Sequence, residues 1–227
     1  MTAGRNTRDG TPRRALPGTT TAALAGALTV VSTAALAAAL ALSASGSVQA
    51  APQATTTPGF LAAKDMPQAA GNFWIAGDIT AGAPESDPFC LEKVLPATGT
   101  TWHRMFGTDL ETEGAQVSVR ATSDAAARKL AASAETAIAA CAADWLRATP
   151  GGTASWQDYG RLPVEEGARV IGVATSVPDS GVNVRLLGIG RDGDTVTIVT
   201  WNQLGDLDRA PVAAFKKTTT TAVQKLR

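Results

Sequence analysis

This 227-residue chain contains two cysteines, which could serve as thiol nucleophiles, and a single histidine, which could serve as a general base. A nucleophile needs a general base close by and a group that orients the base. His103 lies in a candidate strand between Trp102 and Arg104, and the chain contains no Gly-x-Ser-x-Gly sequence. A zinc site needs four ligands, more than these three residues supply. The sequence therefore predicts no catalytic residue, no metal and no cofactor.

Acidic residues offer a second kind of chemistry, because paired carboxylates can hydrolyse glycosides. Glu165 and Glu166 are adjacent before a glycine, and in an extended chain their side chains would point apart. Asp192 and Asp194 have the spacing of calcium ligands, but the remaining acidic positions of a calcium loop are absent and Asp-Gly predicts a hairpin turn. A hydrolase that acts on the cell envelope through carboxylates such as Glu165 is therefore kept as an alternative function.

Tryptophan and arginine side chains on the candidate strands are residue types favoured at recognition surfaces. Trp102 and Arg104 share one strand face, while Arg185 and Trp201 lie on neighbouring late strands. Arginine offers a planar array of donors and tryptophan a stacking surface, which suits sugars or anionic fragments. We predict these four as candidate ligand-binding residues. In the competing interpretation both tryptophans are core residues and both arginines extend along the sheet edge.

A long helix is predicted from Asp124 to about Arg147. Ser123 is a good N-cap, and Pro150 with two glycines ends the helical pattern. The apolar positions fall within a stripe of about 100°, which places Cys141 on the face toward the core.

The other cysteine, Cys90, is predicted to lie in a shorter helix. Asp87 is a plausible N-cap, Pro88 suits the first helical position, and Pro96 ends the run. Because an oxidising compartment favours joining the only two thiols, we predict a structural disulfide between Cys90 and Cys141.

Alternating apolar residues and turn signals predict strands before and after the long helix in the chain. One helical turn is expected near residues 60–66, and a C-terminal helix begins at Pro211. The order of helical turn, strands, long helix, strands and C-terminal helix indicates an α+β fold. We predict an antiparallel sheet of about five to six strands with the long helix and the C-terminal helix packed on it. The late strands are partly apolar on both faces, so either helices cover both faces, or the core alternates incompletely, or the second face keeps a cleft. The predicted strands are 72–79, 101–108, 116–121, 168–177, 182–189 and 195–203.

The first fifty residues are basic and then apolar, which is the order of a secretory signal peptide. Four arginines precede the uncharged run 22–42, and Val48-Gln49-Ala50 has small residues at the positions that a signal peptidase reads. We predict a signal peptide over 1–50 cleaved between Ala50 and Ala51, a linker over 51–59 and a single domain over 60–227. The protein is thus expected to be secreted or extracytoplasmic. If the segment is retained, the uncharged run could anchor the chain, and this is the only membrane contact predicted.

The charge of the mature chain is small and mixed. The whole chain has 20 basic and 20 acidic residues, and the first fifty residues include four basic residues and one acidic residue. Residues 51–227 therefore carry 16 basic and 19 acidic residues, a net charge of −3. A mildly acidic surface gives no electrostatic reason to expect nucleic acid as a partner.

From Phe60 to Arg227 the chain resembles the extracellular sensor domains of mycobacterial PknH-type serine/threonine kinases, which also occur as free secreted proteins in actinobacteria. The resemblance is carried by the order of elements, by Phe-Cys90-Leu, by the helix end Ala-Ala-Cys141-Ala-Ala-Asp-Trp, and by a strand that leads through Asn202-Gln203 to a terminal amphipathic helix. It implies an antiparallel sheet with helices, a cleft, and ligand sensing without catalysis. The kinase-linked domains carry two disulfides, whereas this chain can form one.

We therefore expect a secreted, non-enzymatic binding or sensor-like domain that acts at the cell envelope on an unknown ligand or protein partner. A structural or protein-interaction module is the second alternative, beside the hydrolase.

Overall fold

The structure is a computed structural model that describes residues 56–68, 73–85, 88–96 and 100–227. The predicted signal peptide and its cleavage site at Ala50 and Ala51 lie outside these residues. Within them, no helix is long and apolar enough to cross a membrane. The strands are β1 (Ile75–Ala76), β2 (Thr80–Ala81), β3 (Thr101–Gly107), β4 (Glu113–Arg120), β5 (Thr153–Leu162), β6 (Ala168–Ser176), β7 (Asn183–Asp192) and β8 (Thr195–Leu204). The helices are α1 (Asp124–Ala148) and α2 (Val212–Gln224), with 3₁₀ turns at Ala63–Asp65 and Leu207–Arg209.

The described strands form one antiparallel sheet in the order β1-β3-β4-β8-β7-β6-β5, and β2 also pairs with β3. The α+β class and the antiparallel sheet agree with the sequence analysis. The strand count does not, because this sheet has eight strands rather than five or six. A two-residue strand at each of Ile75–Ala76 and Thr80–Ala81 replaces the single strand predicted over 72–79.

The strand that the sequence analysis missed altogether is β5. It lies at the edge of the sheet and most of its residues are exposed, so it lacks the apolar alternation that marks a half-buried strand. Arg169 of β6 ties it to the rest of the molecule, with ion pairs to Asp158 of β5 at 2.6 Å and to Glu135 of α1 at 3.0 Å. The hydrogen bond from this guanidinium holds the pKa of Asp158 at about 2.

The two long helices cover opposite faces of the sheet. Ala134, Ile138 and Cys141 of α1 pack on one face, here called the α1 face, with Leu187 and Ile189 of β7. On the other face, the α2 face, the core contains the α2 residues Phe215 and Ala222 with Val184, Leu186, Val199 and Trp201 of the sheet. Successive strand residues point to opposite faces, which explains why β7 and β8 are apolar on both.

Helix α1 agrees with its prediction to within one residue. Ser123 caps it, since its hydroxyl oxygen accepts a hydrogen bond from the Ala126 amide at 3.1 Å. The helix continues to Ala148, and Cys141 is buried on its core side as the apolar stripe predicts.

The predicted disulfide is present, whereas the predicted helix around Cys90 is wrong. Cys90 and Cys141 are bonded with their Cα atoms 5.5 Å apart. The described residues 88–96 contain no helix, and Cys90 has a φ of 73°. A residue in this left-handed conformation cannot continue a right-handed helix, so the local helix signal is overridden by the turn that brings Cys90 to α1. The N-cap proposed for that helix, Asp87, lies outside the described residues.

The N-terminal segment is held on the α2 face by a buried polar network. Gln116 of β4 is fully buried, and its side-chain oxygen accepts a hydrogen bond from the Leu61 amide at 2.7 Å. Its side-chain nitrogen donates to the hydroxyl of Thr197 at 3.1 Å. Lys225, just after α2, pairs with Asp65 at 2.7 Å. The segment therefore covers part of the sheet beside α2.

Candidate functional site

A cleft of about 300 Å³ opens on the α1 face, over the part of the sheet formed by β3, β4, β8 and β7. Helix α1 packs over β5 to β8 and leaves the β3–β4 side of this face to the segment that precedes the disulfide. Pro84, Pro88 and Phe89 of that segment form one wall of the cleft. The cleft exists because a loop, rather than a helix, covers this part of the sheet.

The register of the sheet arranges the floor of the cleft in two rows of side chains. Residues paired directly across neighbouring strands lie side by side on one face. The first row contains Met105, Ala115, Thr200 and Leu187. The second row contains Glu113, Asn202 and Arg185. One row of the floor is thus apolar except for Thr200, and the next row is polar, with an amide between two opposite charges.

Arg185 is the one charged residue among the four predicted ligand-binding residues that lines this cleft. Its guanidinium stacks on the ring of Phe89, 4.1 Å from the ring centre, and donates a hydrogen bond to the Thr175 hydroxyl at 3.1 Å. No carboxylate of the described residues forms an ion pair with it, in contrast to Arg169, which has two. Burial lowers the pKa of Arg185, since a charge in apolar surroundings loses hydration.

The disulfide fixes the wall that contacts Arg185. Phe89 directly precedes Cys90, and the bond to Cys141 ties this position to α1. The next residue, Leu91, is fully buried in the α1-face core. Phe89 is therefore held on one side by a covalent cross-link and by a core residue two positions later.

The two tryptophans that the sequence singled out are core residues. Trp102 is 7% exposed and Trp201 is 5% exposed. Trp201 packs with Leu61 and Phe215 on the α2 face, although it also borders the cleft. Because Asn202, not Trp201, pairs with Arg185, the tryptophan and the arginine point to opposite faces.

Arg104 has a structural position on the α2 face. It donates hydrogen bonds to the Gly77 carbonyl at 2.7 Å and to the Leu61 carbonyl at 3.0 Å. The structure therefore does not bring the four predicted residues together on one open face, and of the four only Arg185 and Trp201 border the cleft. That they bind a ligand stays a prediction.

The residues considered for catalysis lie away from the cleft. His103 hydrogen-bonds through Nδ1 to the Gly82 carbonyl at 2.9 Å, which links β3 to the end of β2. Glu165 lies in the turn between β5 and β6 and forms an ion pair with Arg227. Each therefore has a structural partner at its position.

A second, more polar groove of about 450 Å³ lies between β5 and the loop that follows β8. Ser155 and Gln157 of β5 face Asp206 and Asp208 of the loop across it. No arginine or lysine of the described residues lines this groove, so its charge differs from that of the Arg185 cleft.

Sequence reasoning missed Phe89, Glu113 and Asn202 as residues of the cleft. In the sequence, the only signal for Phe89 is its position next to Cys90. Glu113 and Asn202 become neighbours of Arg185 through strand pairings that join residues 89 and 17 positions apart in the chain, and single-strand patterns do not contain that information.

Comparisons with known proteins show one distant structural likeness. The chain is similar to the crystal structure of the extracellular domain of PknH from Mycobacterium tuberculosis, with a TM-score of 0.36 and 10% sequence identity over 64% of this chain and 82% of that chain. This is a distant structural relationship, and it supports no statement about ligand or activity. No protein-family model and no curated protein matches the chain.

Proposed function

We propose that the protein is an extracytoplasmic, non-enzymatic binding or sensor-like domain whose ligand occupies the Arg185 cleft. The observation that carries the proposal is the environment of Arg185, a guanidinium stacked on Phe89 in a largely apolar cleft with no carboxylate partner among the described residues. Such a group suits a ligand with an anionic head and an apolar body. Its planar donors can bind a carboxylate or phosphate through two parallel hydrogen bonds.

The energetics of Arg185 favour a role in binding over a role in stability. A partly buried charge without an opposite charge costs free energy of folding, and cores commonly tolerate an apolar residue in its place. Binding sites often keep residues that the fold alone does not need. The cation–π contact with Phe89 offsets part of this cost and holds the guanidinium against the wall of the cleft.

The location rests on the predicted signal peptide and on the disulfide, because disulfides persist in oxidising compartments outside the cytoplasm. Action at the cell envelope is part of the same proposal. The two rival classes have less support. A cleft favours a binding domain over a purely structural module, and Glu165, the carboxylate named for the hydrolase, lies in an ion pair outside both cavities.

Titration of the purified protein with 4-phenylbutanoate and with the neutral 4-phenylbutanamide tests this function. We expect the carboxylate to bind at least about tenfold more tightly, since it gains charge-assisted hydrogen bonds to Arg185. Arg185→Met should abolish this preference while the unfolding temperature stays equal or rises. Arg209→Gln removes the same charge at an exposed position outside the cleft and should keep the preference.

Equal affinity for the two probes in the wild-type protein would contradict the proposal. So would an undiminished preference for the carboxylate in Arg185→Met, because the anion would then bind elsewhere. Should Arg185→Met fail to fold, Arg185→Lys retains the charge but loses the planar donor array, and it should bind the carboxylate more weakly than the wild type.

A further inference from the structure

A second charged side chain, Glu113, lies in the same row of the same cleft. Glu113 and Arg185 both pair with Asn202, one from β4 and the other from β7, so all three lie on one face of the sheet. Two strand spacings separate the Cα atoms of Glu113 and Arg185, which is about 10 Å. The two charges are opposite, yet no ion pair joins them, and the amide of Asn202 lies between them.

Glu113 is as free to receive a ligand as Arg185. It is exposed, and the Asn202 side chain donates a hydrogen bond to its carboxylate at 3.4 Å, which is a long contact. No lysine or arginine of the described residues forms an ion pair with it, although other carboxylates such as Asp65 and Asp158 have such partners. The cleft thus has an anion-binding end at Arg185 and a cation-binding end at Glu113.

The cleft between these two ends is small, and Asn202 lies on its floor between the two charges. Met105, Ala115, Thr200 and Leu187 form the row beside the charged row, and Phe89 forms the wall. A volume of about 300 Å³ lies at the lower end of the range for small-molecule pockets. A ligand that satisfies both ends must carry a positive and a negative group on a partly apolar body. The two Cα atoms are about 10 Å apart, and the free termini of an extended peptide of two or three residues, roughly 7–10 Å apart, suit this spacing.

We infer that the Arg185 cleft binds a short zwitterionic peptide, with its carboxylate on Arg185 and its ammonium group on Glu113. This inference rests on the proposed function, since it assigns the ligand class of the same cleft. It adds a second anchor and a length limit. A single amino acid would be too short to reach both charges, and a longer peptide would place only one terminus in the cleft.

The test uses the tripeptide Ala-Leu-Ala in three forms, with both ends free, with an acetylated amino end, and with an amidated carboxyl end. Affinities for the purified protein are measured by calorimetry or by the fluorescence of Trp201, which borders the cleft. We expect amidation to weaken binding roughly thirtyfold or more, as for loss of one partner of a desolvated charge pair. Acetylation should weaken it about fivefold, because Glu113 is exposed and its ion pair is screened by water.

Variants then assign each end. Glu113→Gln should remove the difference between the free and the acetylated peptide and leave the effect of amidation intact. Arg185→Met should remove the effect of amidation and leave the difference between the free and the acetylated peptide intact. Glu111→Gln, which removes the same charge from an exposed hairpin residue outside the cleft lining, should leave all three affinities unchanged. Leucine alone and Ala-Leu-Ala-Ala-Leu-Ala should both bind more weakly than the free tripeptide.

The outcomes separate the inference from the proposed function. If acetylation has no effect while amidation and 4-phenylbutanoate behave as expected, the cleft binds a simple anion, and the peptide assignment is wrong although the proposed function stands. If peptide affinity is the same in both variants as in the wild type, the peptide binds elsewhere and the inference is overturned. If neither 4-phenylbutanoate nor any peptide form binds, the proposed function fails together with the inference.

Discussion

Two glycines of β7 determine how closely α2 approaches the sheet. A Cβ atom at Gly188 would lie 2.7 Å from the methyl carbon of Thr219 in α2, and one at Gly190 would collide with a methyl group of Val223 in the same helix. Thr219 is fully buried, and its hydroxyl is bonded to the Phe215 carbonyl one turn earlier in α2. The helix therefore lies directly on the strand backbone at these two glycines.

Gly188→Ala should therefore destabilise the protein by about 1–3 kcal/mol, because the added methyl group forces α2 away from the sheet. Gly107→Ala is the matched control in β3, where an added Cβ meets no atom within 4 Å. It should be neutral or stabilise by roughly 0.5 kcal/mol through reduced entropy of the unfolded chain. Urea unfolding measures both, and equal stabilities of the two variants would show that α2 does not need this close approach.

At the scale of elements, the segment 88–96 connects the stability of the domain with its proposed binding site. It has no regular secondary structure, and isolated turns such as the hydrogen bond from the Leu91 amide to the Pro88 carbonyl at 2.8 Å give it little stability of its own. The disulfide and the buried side chain of Leu91 hold it against α1. The position of Phe89 over Arg185 consequently depends on the cross-link.

Replacing both cysteines, Cys90→Ser with Cys141→Ser, should lower the free energy of unfolding by about 4 kcal/mol, from loss of a cross-link that closes a loop of about 52 residues. It should also weaken the binding of 4-phenylbutanoate, since Phe89 is no longer held against the guanidinium. Urea unfolding and ligand titration measure the two effects. A dithiol reductant should lower the free energy of unfolding and weaken ligand binding in the wild type, and it should change neither quantity in the double variant. An unaltered free energy of unfolding would show that the bond contributes nothing to the fold.

At the scale of the whole molecule, the sequence predicts those elements whose local pattern matches their burial. Helix α1 was predicted to within one residue, because its cap and its apolar stripe are both local signals. Strand β5 was missed because an exposed edge strand has no apolar face. The cleft could not be predicted, because the pairing of Asn202 with Glu113 joins β8 to β4, which lies 89 positions earlier in the chain. The pairing of Arg185 with Asn202 follows from the short turn between β7 and β8, but it does not by itself form a cleft.

Residues 1–50, which lie outside the described ranges, are predicted to direct export of the chain and then to be cleaved. Protein recovered from the culture medium of a bacterial host should begin at Ala51, because small residues at positions 48 and 50 form a signal peptidase site after the uncharged run 22–42. Ala50→Lys should block cleavage and leave the chain in the membrane fraction, whereas Ala51→Ser, which changes the residue after the bond, should be cleaved normally. N-terminal sequencing distinguishes these results. A wild-type protein that stays in the membrane with Met1 or Thr2 at its N-terminus would show that the segment is an anchor rather than a cleaved signal.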